Sequence, residues 1–264
     1  MKPISIFSLL FLFIAVFSKA QMDDKFYQPN KIMKPFEFNT PEQINFPVDG
    51  ETITAFFAKP NTKNTKKTIF YFHGAAGNVT TYQFMTKPLV DAGYQVVMID
   101  FRGYGLSTGK PNHKNVAEDG QKFFDELIRR PDIKNTKVYI YGASLGTQIA
   151  AHLAKDNVSK ISGLILDCPM ASFTDIAAHF TPQYKDFILQ SMISPYAAKE
   201  DVKALGKLPV LVIHGGEDKT VPYEQGKLVF DNTSGAKTFI QSKGDHLEGL
   251  VNNKEEILKA IDKL

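Results

Sequence analysis

Lys137-Val138-Tyr139-Ile140-Tyr141-Gly142-Ala143-Ser144-Leu145-Gly146 decides how the rest of the chain is read. Its first half is a β-rich apolar run, and residues 145–155 that follow are amphipathic with a helical repeat, so Ser144 falls on the bend between a strand and a helix. A sharp bend brings the residues two before and two after the serine into close approach, where only small side chains fit. Gly142 and Gly146 occupy those two places. The hydroxyl then stands above the sheet at a helix N-terminus, where developing negative charge is stabilised. Gly-x-Ser-x-Gly recurs by chance in unrelated chains; its weight here comes from its position after a strand.

Outward from this point the same rhythm repeats. Short apolar runs at residues 68–72, 94–99, 137–141, 163–166, 209–213 and 237–240 alternate with helical stretches at 81–92, 116–130, 145–155, 222–231 and 253–264. Strand followed by helix, repeated, predicts a parallel sheet with right-handed crossovers. The runs are nearly continuous rather than alternating, as expected of strands covered by helices on both faces. Upstream, residues 44–48 and 52–58 flank Asp49-Gly50 and predict an antiparallel hairpin. Residues 21–43, with Pro29, Pro35 and Pro41, read as an extended lead-in lying on the surface. The interval 170–208 breaks the rhythm and carries Phe173, Phe180, Tyr184, Phe187, Met192 and Tyr196, which predicts a small helical cap insertion. Such apolar residues also serve simply to hold an insertion to its domain.

A serine hydroxyl needs a base to take its proton, normally an imidazole oriented by a carboxylate. Of six histidines, His73 and His214 end strands, His113 lies in a Pro-Asn-His loop, and His152 and His179 sit in helical stretches. His246, in a short polar loop after the last strand, fits the order serine, acid, histidine. Asp218, at the end of the preceding strand, is the expected acid. It projects from the same carboxyl edge of the sheet as Ser144 and His246, with Glu217 as its neighbour and competitor. Taken without the serine and the histidine, Asp218 reads first as the cap of the helix that follows. Acyl transfer also needs donors for an oxyanion, and the small-residue turn His73-Gly74-Ala75-Ala76-Gly77-Asn78 offers them. The backbone N–H groups of Ala75 and Leu145 are the candidates, with His73 in support.

These residues resemble the α/β-hydrolase superfamily from about Glu42 to the C-terminus. The resemblance runs through the His73 turn, Asp100-Phe101-Arg102-Gly103-Tyr104-Gly105-Leu106-Ser107, the Ser144 bend, Val212-Ile213-His214-Gly215-Gly216-Glu217-Asp218 and Gly244-Asp245-His246. It implies an α/β-hydrolase fold, a mostly parallel central sheet with helices on both faces and a small helical cap. The His-Gly-x-x-Gly-Asn turn and short cap are similar to the lysophospholipase-like and depalmitoylase-like branch. In similar proteins the Asp100 to Ser107 loop is chiefly structural, so Asp100 and Arg102 are assigned no chemistry. Members that keep the fold without activity exist, which gives weight to the intact set Ser144, Asp218 and His246.

Composition bounds the remaining classes. The chain has 264 residues, 43% hydrophobic and 22% charged, the profile of one globular domain with a core of its own. Lys2, an apolar run over residues 4–17 and Ser18-Lys19-Ala20 read as a signal peptide over residues 1–20, leaving residues 21–264 as the hydrolase domain. The protein is then expected to be exported, periplasmic or secreted. The alternative is a membrane anchor through residues 4–17, though that run is shorter than the roughly 20 apolar residues that span a bilayer. Without the leader, 29 basic residues face 28 acidic ones, a net charge of about +1 that suggests neither nucleic acid nor an anionic membrane as partner. Cys168 has no second cysteine to pair with and reads as a small buried apolar residue. Walker-type and dinucleotide fingerprints fail at Tyr104, Thr108 and Pro111, and no His-Glu-x-x-His pair or cysteine cluster occurs, so neither a cofactor nor a catalytic metal is expected.

The expected activity is hydrolysis of an acyl ester or thioester, with a small-molecule or lipid-like acyl substrate. The alternatives are a peptidase or amidase using the same triad, and a secreted binding module on the same fold. A Ser144 buried away from any cavity would favour the binding module.

Overall fold

The computed structural model describes residue 23, residues 25–62 and residues 65–264; the expected leader over residues 1–20 lies outside them. Among the described residues, no helix is long and apolar enough to cross a membrane.

The apolar runs become the strands of one sheet. In chain order they are β2 (Glu42–Val48), β3 (Glu51–Ala58), β4 (Lys67–Phe72), β6 (Gln95–Ile99), β7 (Lys137–Ala143), β8 (Gly163–Asp167), β9 (Val210–Gly215) and β10 (Lys237–Ser242). Two short strands, β1 (Gln28–Pro29) and β5 (Ala76–Gly77), form a separate two-stranded sheet. The order across the main sheet is β10-β9-β8-β7-β4-β6-β3-β2, parallel throughout except for β3, which runs against both its neighbours. The predicted hairpin is there: Val48 faces Glu51, and Asp49 and Gly50 take φ values of 50° and 82°, the left-handed pair that a two-residue turn between twisted strands requires.

Helices cover both faces, as the continuous apolar runs implied. Alternate residues of the central strands enter two separate cores. Phe70, Phe72, Ile140, Leu164 and Val212 enter one, while Ile69, Tyr71, Tyr139, Ile165 and Leu211 enter the other. The first core is closed by helices His113–Leu127, Gly146–Asp156 and Tyr223–Asn232, through Phe123, Phe124, Ile149 and Val229. The second is closed by Gln83–Asp91 and Lys254–Asp262, through Met85, Leu89, Ile257 and Ile261. Each fully buried side chain of this size contributes roughly 1.5–3 kcal/mol, so the central strands are the stable frame on which the loops are mounted.

The topology decides where those loops gather. From β4 the chain passes to β6 on one side and then returns to β7 on the other, so the carboxyl ends of β4 and β7 border a switch point. The loop after β4 begins at His73 and the bend after β7 holds Ser144. Between β8 and β9 the segment 170–208 carries helices Phe173–Phe180, Lys185–Ser191 and Ala198–Asp201. Its root is buried: Phe173 stacks on His113 at 3.6 Å between ring centroids, and Gln148 accepts from the Ala198 N–H and donates to the Met170 carbonyl.

Candidate active site

Ser144 sits at the end of β7 with φ of 52°, a left-handed backbone that costs a side-chain-bearing residue about 1–2 kcal/mol. Three contacts hold it there. Its N–H donates to the Asp167 carbonyl at 2.9 Å, and its carbonyl accepts from the Thr147 N–H at 2.9 Å and the Thr147 hydroxyl at 2.5 Å. The flanking glycines are required by contact. A Cβ on Gly142 would lie 2.5 Å from the Gly146 carbonyl oxygen, and one on Gly146 would lie 2.1 Å from that of Phe72.

His246 reaches across from the loop after β10. Its Nε2 lies 2.9 Å from Ser144 Oγ and its Nδ1 lies 2.7 Å from Asp218 Oδ2. With Nδ1 protonated toward the carboxylate, Nε2 is left as acceptor for the serine hydroxyl. Asp218 is engaged through both carboxylate oxygens. Oδ2 meets His246, while Oδ1 accepts from the backbone N–H groups of Thr220 and Val221, each at 2.8 Å, so the carboxylate also ties down the turn before the helix. Burial pushes the Asp218 carboxyl up. The His246 hydrogen bond and charge, together with the Val221 N–H, outweigh it and hold the group below the usual carboxylate range. Glu217 next to it is exposed.

The turn after β4 closes the site from the other side. His73 Nδ1 lies 2.7 Å from the Gly74 carbonyl, and because a carbonyl only accepts, this nitrogen carries the proton. The same planar peptide ends in the Ala75 N–H, so His73 orients that donor. Burial lowers the His73 pKa to about 4, which keeps the ring neutral. Gly74 is pressed between neighbours: a Cβ there would meet the Tyr82 hydroxyl at 2.6 Å and Ser144 Cβ at 3.3 Å. Leu145, the other candidate donor, immediately precedes helix Gly146–Asp156. Asp100 accepts from the Val79 N–H at 2.8 Å, and Arg102 pairs with Asp119 at 2.7 Å and Asp49 at 3.2 Å, so both brace loops.

Two residues with no part in the site as read from the sequence stand behind Ser144, Asp218 and His246. Asp167 is fully buried; Tyr141 donates to its Oδ2 at 2.6 Å, and burial raises its pKa to about 6. Cys168 is buried as expected, but it is more than filler. It takes a φ of 50°, its Sγ accepts from the Leu247 N–H at 3.3 Å, and that sulfur lies within 4.8 Å of the facing atoms of Asp218 and His246. No pattern marks either residue, since their proximity to Asp218 arises only from pairing β8 with β9.

Two of the other histidines are engaged outside the site, His113 with Tyr27 at 3.0 Å and His152 with Asp201 at 3.0 Å, whereas His214 Nε2 lies 3.0 Å from the Val221 carbonyl and 3.4 Å from Asp218 Oδ2. A depression of about 330 Å³ between Gln83, Phe84, Lys87 and Leu258, and another of about 640 Å³ among Lys66, Lys67, Lys134 and Lys137, include none of the three site residues. Ser144 retains 7% of its surface and the His246 side chain 17%, so little of either reaches solvent.

A strand-turn-helix bend presenting a serine to a histidine and a carboxylate, on a mostly parallel sheet with one antiparallel strand, defines the α/β-hydrolase class. The chain belongs to it: residues 63–196 match the family model described as serine aminopeptidase, S33. The chain is 30% identical over 207 residues to protein bem46 of Schizosaccharomyces pombe, which covers 77% of this chain and 69% of that protein. It is 30% identical over 191 residues to lysophosphatidylserine lipase ABHD12 of Macaca fascicularis, covering 65% of this chain and 46% of that one. Among solved structures, the esterase Pf2001 of Pyrococcus furiosus superposes with a TM-score of 0.70 at 16% identity, covering 89% of this chain and 97% of that one, a likeness of fold. Taken together, the family and its relatives make the chain a hydrolase.

Proposed function

We propose that the protein is a serine hydrolase that cleaves an acyl ester or thioester through an acyl-enzyme. The observation that carries this reading is the relay from Asp218 through His246 to Ser144, with both hydrogen bonds under 3 Å. Ser144 Oγ attacks the substrate carbonyl carbon as His246 Nε2 takes its proton. The carbonyl oxygen becomes an oxyanion facing the Ala75 and Leu145 N–H groups and the positive end of helix Gly146–Asp156. His246 then returns the proton to the departing alcohol or thiol, and a water molecule repeats the sequence to release the acid. Asp218 holds the imidazole in the required tautomer and stabilises its charged form.

An apolar acyl group fits the insertion over residues 170–208, acting as a cap, where Phe180, Tyr184, Phe187 and Ile193 are exposed. The lipase named among the relatives favours the same chemistry. We further propose export through cleavage after Ala20, which N-terminal sequencing of the mature chain would test. A fluorophosphonate probe is expected to label the wild-type protein and to spare Ser144→Ala; equal labelling of the two would overturn the assignment of the nucleophile. A ladder of esters of increasing acyl length then defines the substrate. The near-burial of Ser144 favours the second reading, a binding module without turnover, and measurable hydrolysis of short acyl esters excludes it.

A further inference from the structure

We propose that Tyr104 and the lead-in strand Gln28–Pro29 are positioning elements for the oxyanion turn, an inference that rests on the acyl-transfer reading above. The lead-in does more than lie on the surface. It pairs in parallel with Ala76–Gly77, with Gln28 opposite Ala76 and Pro29 opposite Gly77. The Gln28 N–H donates to the Ala75 carbonyl at 2.9 Å and to the Tyr104 hydroxyl at 2.9 Å, and the Tyr104 hydroxyl donates to the same Ala75 carbonyl at 2.5 Å. The Asn30 N–H donates to the Gly77 carbonyl at 2.9 Å, and Asn78 Nδ2 donates back to the carbonyls of Asn30 and Ile32.

Two successive peptide planes are therefore held by residues from separate parts of the sequence. His73 fixes the plane between Gly74 and Ala75, and Tyr104 with Gln28 fixes the plane between Ala75 and Ala76. With both planes held, the backbone dihedrals of Ala75 have no freedom, and the direction of its N–H is set before substrate arrives. Tyr104 is completely buried and its ring lies 4.9 Å from that of His73, so the two supports also pack on one another. Burial raises the Tyr104 pKa, which keeps the hydroxyl a donor.

The test is kinetic. On a p-nitrophenyl ester of a short acid, Tyr104→Phe is expected to lower kcat about tenfold with KM within about twofold, less than the loss of a whole oxyanion donor. The Ki of an alkyl boronic acid, whose tetrahedral adduct with Ser144 occupies the same hole, rises by the same factor. Gln28→Pro, which removes the N–H, is expected to lower kcat similarly, while Gln28→Ala, which keeps it, turns over several-fold faster than Gln28→Pro. If Tyr104→Phe and Gln28→Pro match an active wild type, or if KM rises while the boronate Ki is unmoved, the positioning role is overturned and the hydrolase reading survives. A wild type that neither hydrolyses esters nor takes up a fluorophosphonate overturns both.

Discussion

The backbone N–H of Ser144 donates to the carbonyl oxygen of Asp167 at 2.9 Å, so the bend bearing the serine hangs from the end of the neighbouring strand. The side chain of the same aspartate is buried behind the triad, where it accepts from Tyr141 and feels the charges of both Asp218 and His246. One residue thus holds Ser144 by its main chain and contributes to the electrostatics around it by its carboxyl.

That carboxyl should be visible in the pH dependence of stability. Its folded pKa of about 6 lies above the unfolded value near 3.9, so its contribution is fully present below about pH 4 and is lost as pH rises through about 6. The loss is on the order of 2 to 3 kcal/mol. Urea unfolding between pH 4.5 and 7.5 should show a shallower decline for Asp167→Asn than for wild type; identical slopes would contradict the assignment. Asp100, raised to about 7 by burial, acts with the same sign and remains in both proteins.

Strain at the serine separates stability from activity. Because Ser144 has a φ of 52°, Ser144→Gly is expected to be more stable than Ser144→Ala by about 1 kcal/mol, with both inactive. Denaturant midpoints of the two variants decide it.

Asp218→Asn keeps the shape of the acid and loses its charge. The amide no longer enforces the proton on His246 Nδ1, and kcat is expected to fall about 10³- to 10⁴-fold with little change in KM. A drop smaller than tenfold would point to another orienting group.

Gly146→Ala places a methyl 2.1 Å from the Phe72 carbonyl oxygen, a contact with backbone that no rotamer relieves. A destabilisation of about 3 kcal/mol or more is expected, read as a fall in Tm or loss of soluble protein.

How much of this was legible depends on whether a feature is local. The strands were readable because burial on both faces removes polar residues from runs such as 68–72, and the hairpin because Asp49-Gly50 tolerates positive φ. That Ser144, Asp218 and His246 meet could be anticipated from their order after three strands of the sheet, β7, β9 and β10. Asp218 and Glu217 could not be fully separated from sequence, because adjacent residues differ only in which way the loop turns them. Helix His113–Leu127 starts before its first apolar residue because Asn112 and Asn115 cap each other's backbone. The part played by Gln28, Tyr104 and Asp167 was hidden. It is exercised through backbone atoms or burial, and the Gln28–Tyr104 contact spans 76 residues.

The hydrogen bond between His246 and Ser144 joins residues 102 apart, and three strands of the sheet, β8, β9 and β10, lie between them in sequence. It forms only when β8, β9 and β10 have docked in order beside β7, which makes turnover a report on the completion of folding. During refolding, secondary structure should return first and hydrolase activity last, with the gap between them timing the assembly of the long-range topology.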